Sequence, residues 1–160
     1  MPKNPLSALM VALSLLGAIW AAPLAAQQPL TLKGDVKAVK MVENEDGTTV
    51  TALVDPEIVV PGDRLIFGTD YANTGSEPVE QFVVTNPLPE AVRLADDADP
   101  ALVVSVDGGQ TWGLLADLQV SETDGNMRAA TAGDVTHVRW TLASVAPGES
   151  GRLEYPAIIR

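Results

Sequence analysis

The sequence predicts an all-β fold, an antiparallel β-sandwich of about 8–9 strands with an N-terminal hairpin. Three observations support this prediction. No stretch of residues 27–160 repeats its apolar residues every 3.6 positions, as a long helix does. Apolar and polar residues instead alternate in short runs. Gly, Pro, Asn and Asp interrupt these runs about every ten residues, which is the spacing of a sandwich.

The first two predicted strands form a hairpin within residues 27–56. Leu30 to Val42 is the outgoing strand, and Thr48 to Val54 is the returning strand. Asp46-Gly47 between them is a strong two-residue turn signal. We expect this segment to be a hairpin of its own, and residues 57–160 to form the sandwich domain.

The next two strands lead to a crossing between sheets. Residues 64–73 alternate, and residues 79–85 follow after a turn. The segment Asn86-Pro87-Leu88-Pro89 cannot continue a central strand, because proline lacks the amide that a ladder needs. One face of the first of these strands is expected to carry Leu65, Phe67, Thr69 and Tyr71.

Later strands are predicted at 91–94, 102–106, 112–118, 135–142 and 152–159. The polar, turn-rich segment between the third and fourth of these is expected to be a loop. Trp112 and Trp140 are predicted to anchor the core, because each large aromatic side chain buries about 150–250 Å².

Residues 1–26 have the pattern of a secretory signal peptide. A basic residue, Lys3, precedes the apolar run from Leu6 to Trp20, and the small residues Ala25-Ala26 offer a cleavage site. A retained membrane anchor is the alternative, but the apolar run is short for a membrane span. We expect a periplasmic or extracellular protein with no membrane span after residue 26.

The composition excludes several classes of function. The chain has no cysteine, which rules out disulfides, thiolate zinc sites and a lipid-bearing cysteine. Its 21 acidic and 10 basic residues make it strongly negative, so a nucleic-acid partner is not expected. Calcium is an alternative at the acidic segment containing Asp96, Asp97 and Asp99, although this segment lacks the turn glycine of calcium loops.

The octet SVDGGQTW, residues 105–112, matches the pattern S-x-D-x-G-x-T-W at every fixed position. It resembles the aspartate box of sialidases and related β-propellers. The resemblance implies that Asp107 accepts amides of the turn, that Gly109 takes a conformation closed to other residues, and that Trp112 packs inward. The box occurs once, and residues 27–160 are too short for a propeller, so we predict a structural turn.

No catalytic residue or cofactor is expected. The arginines are scattered singly, whereas a sialidase needs an arginine cluster, and Tyr71 and Tyr155 lie in alternating strands where packing is the usual role. His137 is the single histidine, and it lies on the face opposite Val138 and Trp140. The sequence has no G-x-S-x-G nucleophile motif. We therefore expect a protein that is not an enzyme.

A longer pattern covers residues 57–160. It includes VVPGDRLIF, NTG, PLP, TWG, RWTL and APGES in this order, and it resembles the bacterial and archaeal surface-protein repeat called domain of unknown function eleven. Phe67 stands where tyrosine is commoner, and Asn86-Pro87 replaces the usual aspartate. The resemblance implies an exported immunoglobulin-like sandwich and implies no catalytic residue and no cofactor.

These observations leave three functional hypotheses. The first is a monomeric, non-enzymatic secreted or cell-envelope module that binds an envelope protein or a glycan, or assembles structurally. The second is a fimbria-like subunit that exchanges a strand, either the Leu30 to Val54 hairpin or the last strand, Leu153 to Ile159. The third is a carbohydrate-binding module that uses Trp112.

Overall fold

The computed structural model describes residues 30–160, so the predicted signal peptide lies outside the described residues. The described part contains eleven strands and two short 3-10 helices, Leu115–Asp117 and Ala132–Asp134. The strands are β1 Leu30–Glu43, β2 Thr49–Val54, β3 Arg64–Asn73, β4 Val79–Pro87, β5 Val92–Leu94, β6 Val103–Ser105, β7 Gly113–Leu114, β8 Gln119–Ser121, β9 Met127–Ala129, β10 His137–Val145 and β11 Ser150–Ile159.

Two antiparallel sheets pack face to face. The larger sheet has the strand order β2-β1-β3-β11-β5, and the smaller sheet has the order β4-β10-β6-β7. The third pairing, β8 with β9, is a small hairpin. The predicted all-β sandwich is therefore confirmed.

The strand count is higher than predicted because one segment folds differently from its sequence pattern. The predicted strand 112–118 contains only β7, because a bond from the Leu118 amide to the Leu115 carbonyl closes a turn. The segment expected to be a loop forms β8 and β9, joined by a turn at Gly125, whose φ is +84°. Most side chains of β8 and β9 are exposed, and each strand has three residues, fewer than the roughly four to eight over which alternation identifies a strand in sequence.

The N-terminal hairpin is part of the larger sheet. β1 pairs with β2 through residues 38–43 and with β3 through residues 30–38. Ala38 belongs to both pairings and is fully buried in the core. The segment from residue 30 to residue 56 is thus joined to the sandwich through a complete antiparallel ladder, in addition to its own turn.

β4 lies at the edge of the smaller sheet, which explains how it tolerates Pro87. From Pro87 the chain passes to β5 in the other sheet, as the sequence predicts. A hydrogen bond of 2.8 Å from Asn86 Nδ2 to Thr69 Oγ1 joins the two sheets beside this crossing. The two sheets are therefore joined here by a polar contact as well as by the apolar core.

Tyr155 is the largest fully buried side chain of the core. Its ring stacks on Phe67 with 5.1 Å between the ring centroids, and the Trp140 ring lies 6.2 Å away. Burial raises the pKa of Tyr155 to about 12. Trp140 is half-buried and packs against this core, so the face of β10 that carries it points inward.

Candidate functional site

The octet folds as the tight connection between β6 and β7. Asp107 Oδ1 accepts the amides of Gln110 and Thr111, each at 2.9 Å, and Oδ2 accepts the Thr111 hydroxyl at 2.6 Å. The Ser105 hydroxyl donates to the same carboxylate at 2.7 Å. One aspartate side chain therefore closes the turn, using partners that all lie within four residues of it.

The turn also depends on two glycines. Gly108 and Gly109 have φ values of +77° and +89°, a region that other residues seldom adopt. A Cβ on Gly109 would in addition lie 3.4 Å from Cζ2 of Trp112. The Gly108 amide donates a hydrogen bond of 3.1 Å to the Thr136 hydroxyl. This bond connects the turn to the residue that precedes β10.

The prediction that Trp112 packs into the core is wrong. Trp112 is half-buried on the outer face of the smaller sheet, where the Arg139 guanidinium carbon lies 3.5 Å from the ring centroid. The indole Nε1 donates to the Gly109 carbonyl at 2.9 Å, and the His137 ring meets the indole edge-on at 6.1 Å. His137 and Arg139 alternate with the buried Val138, so the turn folds back over the solvent side of β10.

We predict that Asp107→Asn weakens the fold in a pH-dependent way. The hydrogen bonds from Thr111, Ser105 and Gln110 hold the pKa of Asp107 well below its usual range. A carboxylate with a depressed folded-state pKa stabilises above its unfolded pKa of about 4, and that contribution is lost as pH falls. The gap in urea midpoint between wild type and Asp107→Asn should therefore be widest near neutral pH and narrow below about pH 4.

Glu90→Gln is the matched control, because it removes one carboxylate charge from an exposed position. Its urea midpoint should stay close to that of the wild type across the same pH series. A gap for Asp107→Asn that is equally wide at pH 7 and pH 2 would contradict the assigned role of the carboxylate.

Other acids also serve as acceptors for turns and cations. The Asp134 carboxylate accepts hydrogen bonds from both terminal nitrogens of Arg128, each at 2.7 Å. It also accepts a hydrogen bond of 2.8 Å from the Thr131 amide, as part of a capping box. The Arg128 guanidinium and the Thr131 bonds hold the pKa of Asp134 well below its usual range. Hydrogen bonds likewise lower the pKa values of Asp46, Asp63, Asp97 and Asp124.

The carboxylates of the acidic segment containing Asp96, Asp97 and Asp99, the alternative calcium site, have different partners. Asp96 pairs with Arg93 at 3.0 Å, and Asp97 pairs with Arg64 at 2.8 Å. Asp99 accepts the amide of Ala101 at 2.9 Å. Within residues 30–160, no group of three or more His, Cys, Asp or Glu side chains is arranged to hold a metal ion.

A second surface, which the sequence patterns did not indicate, lies around β2. We call it the β2 edge: the strand Thr49–Val54 with the neighbouring residue Met41 and the segment 55–60. Met41 is 77% exposed, Ile58 is 79% exposed, and Leu53 and Val60 are each 54% exposed. The two most exposed large apolar side chains of residues 30–160, Ile58 and Met41, thus belong to this surface, whereas the next, Met127 at 58% exposed, lies in β9.

The backbone of the β2 edge faces solvent in a regular pattern. The Asn44 amide donates to the Thr48 carbonyl at 2.8 Å, and hydrogen-bonded pairs alternate along an antiparallel ladder. The peptide groups of Thr49, Thr51 and Leu53 therefore point away from β1. No strand of the described residues pairs with this side of β2.

The charges around the β2 edge are mostly negative. Lys37 and Lys40 of the neighbouring strand β1 are already paired, with Asp55 at 2.5 Å and with Asp63 at 2.6 Å. The end of the hairpin carries Glu43, Glu45 and Asp46, and the opposite end of β2 is followed by Glu57. In the described part of the chain, no ion pair joins Glu43, Glu45 or Glu57 to a cation.

Together these features define the class of protein, an all-β sandwich domain with a self-contained polar turn on one sheet and an open apolar edge on the other. Comparison of the chain with protein-family models, curated proteins and solved structures found no match. None of the helices between residues 30 and 160 has the length and apolar character needed to cross a membrane.

Proposed function

We propose that this protein is a non-enzymatic, exported module of the cell envelope or extracellular space that acts by binding a partner or by structural assembly. The observation that carries the proposal is the β2 edge, which combines unpaired strand peptide groups with exposed apolar side chains. An open edge strand can pair with another chain, and a large exposed apolar patch commonly marks an interaction site. An edge that combines both is therefore suited to binding a partner.

The roles of the acidic side chains support a non-enzymatic function. Asp107 and Asp134 are ionised at neutral pH, since hydrogen bonds hold their pKa values well below the usual range. Such carboxylates do not donate protons as a general acid would. Their oxygens are occupied by turn amides, hydroxyls and a guanidinium, which favours a structural role.

Export is supported by the pattern of residues 1–26 and by the resemblance of residues 57–160 to domain of unknown function eleven. The zero cysteine count agrees with a periplasmic or extracellular domain that depends on packing alone.

The two alternatives have less support. Donating the Leu30 to Val54 hairpin would break the β1–β3 ladder and withdraw the buried Ala38. Donating β11 would break its ladders with both β3 and β5 and withdraw the buried Tyr155. Carbohydrate binding through Trp112 would have to use a half-buried ring, one face of which is covered by the Arg139 guanidinium.

Export and the absence of turnover are tested together on the protein expressed in a bacterial host. Mass spectrometry of the exported fraction is expected to find a chain beginning at about Gln27, because cleavage should follow the small residues. The purified protein is expected to hydrolyse none of a panel of glycans and peptides. Hydrolysis of one substrate that is abolished by a single Asp or Glu substitution would contradict the proposal.

A further inference from the structure

We propose that the β2 edge binds an extended peptide segment that is largely apolar and is flanked by basic residues, and that this segment joins the larger sheet as an additional strand. The inference rests on the proposed binding function and names the chemistry of the partner. It follows from three properties of the edge: its backbone, its side chains and its charge.

The backbone of β2 is open to pairing along its full length. Thr49, Thr51 and Leu53 each present an outward amide and carbonyl, spaced two residues apart as a partner strand requires. The strand contains no proline and no charged residue. Both are common means of protecting an edge strand from pairing.

The other edges of the described sheets are less suited to strand addition. β4 ends in Pro87 and contains Gln81, whose φ of +50° interrupts the extended backbone. β5, β7, β8 and β9 have three residues or fewer, too few for a stable added strand. The side of β1 that is open along residues 30–37 carries Lys33, Asp35 and Lys37, and charged side chains protect an edge from pairing. Among the edges of the described sheets, β2 is therefore the best suited to strand addition.

The side chains along β2 select an apolar partner. Leu53 lies opposite Val39 on one face, and the exposed Met41 lies opposite Thr51 on the same face. Val50 and Val54 lie on the other face. A strand added beside β2 would contact apolar groups on both of its faces, so alternate apolar residues gain cross-strand contacts.

The charge around β2 favours a basic partner over a second copy of the chain. In an antiparallel pair of β2 strands, the hairpin end of one copy lies beside the far end of the other. Glu43 and Glu45 would then face Glu57, and each chain carries a formal net charge of −11. Lysine or arginine residues flanking the partner strand would meet these acids within the screening length of about 8 Å.

Fluorescence anisotropy with labelled peptides tests the inference. The probe has six alternating valine and threonine residues with two lysines at each end, and a second probe replaces these lysines by glutamates. The full exported protein is expected to bind the lysine-flanked peptide at least about tenfold more tightly than the other. The binding should weaken as salt is added.

Two interventions separate strand pairing from non-specific attraction. Thr51→Pro removes an outward amide and is expected to raise the Kd about tenfold, whereas Thr51→Val keeps the amide and should change the Kd little. A lysine-flanked peptide methylated on alternate backbone nitrogens tests the same bonds without altering the protein. It is expected to lose binding whether or not Thr51→Pro folds.

Equal Kd values for the methylated and unmethylated peptides would overturn the inference. Equal Kd values for the lysine-flanked and glutamate-flanked peptides would also overturn it. Light scattering that finds a dimer of the protein alone, absent in a folded Thr51→Pro variant, would assign the edge to a second copy. Failure of any of these tests leaves the non-enzymatic proposal standing, because the hydrolysis panel measures that separately.

Discussion

Replacing Tyr155 by alanine is expected to lower the free energy of unfolding by about 3 to 5 kcal/mol. The side chain is 1% exposed, stacks on Phe67 and lies against Trp140. Its removal would leave a cavity where the two sheets meet, and the surrounding β-strands can close it only in part. Urea unfolding followed by circular dichroism measures the loss.

Two further variants make this prediction specific. Tyr155→Phe keeps the stacked ring and should retain most of the stability that alanine loses. Trp112→Ala is expected to cost only about 1 to 2 kcal/mol, because it removes a half-buried ring and one cation–π contact with Arg139. A cost for Trp112→Ala equal to that for Tyr155→Ala would contradict the placement of Trp112 outside the core.

The second large effect is expected at Asn73, which is 1% exposed at the end of β3. Its Nδ2 donates to the carbonyls of Val145 at 2.8 Å and Glu77 at 2.9 Å, and its Oδ1 accepts the Gly75 amide at 2.9 Å. Asn73→Ala would leave these groups without their partner. Since each buried unsatisfied group costs about 1 to 3 kcal/mol, we expect a loss of about 2 to 4 kcal/mol.

Asn73→Asp and Asn44→Ala are the matched variants for this prediction. Asn73→Asp keeps the shape and the acceptor but removes both donors, so it should destabilise near neutral pH to a similar degree. Asn44 lies in the exposed hairpin turn, and its replacement by alanine should change stability by about 0.5 kcal/mol or less. Urea midpoints that rank Asn44→Ala with Asn73→Ala would refute the assigned role.

The turn of the octet could be predicted because its interactions are local. Asp107 bonds to Ser105, Gln110 and Thr111, so the spacing of these residues is enough to specify the turn. The direction of Trp112 could not be predicted in the same way. It depends on Arg139, which belongs to a strand distant in sequence.

Asn73 shows the same division. The sequence marks it as a turn residue, and its bond to Gly75 is local. Its bond to the carbonyl of Val145 spans 72 positions and exists only because β3 and β10 end close together. A turn signal was therefore visible in the sequence, but the burial that makes this residue important was not.

The strands themselves follow the same principle. The alternating runs and turn residues predicted β3 and β11 closely, because their inward faces carry apolar side chains. The exposed strands β8 and β9 were missed, because three residues each are too few for an alternating pattern to be recognised. The pairing of β1 with β3 was also missed, because a hairpin turn specifies only the nearer partner.

By itself, the sequence determined the fold class, most of the strands and the closed turn around Asp107, because alternation and turn chemistry act between residues a few positions apart. Only the tertiary structure decided that Tyr155 occupies the centre of the core, that Trp112 lies outside it and that β2 is an open edge. These properties depend on which strands become neighbours. That choice is made by the burial of apolar surface over the whole domain, which no local pattern contains.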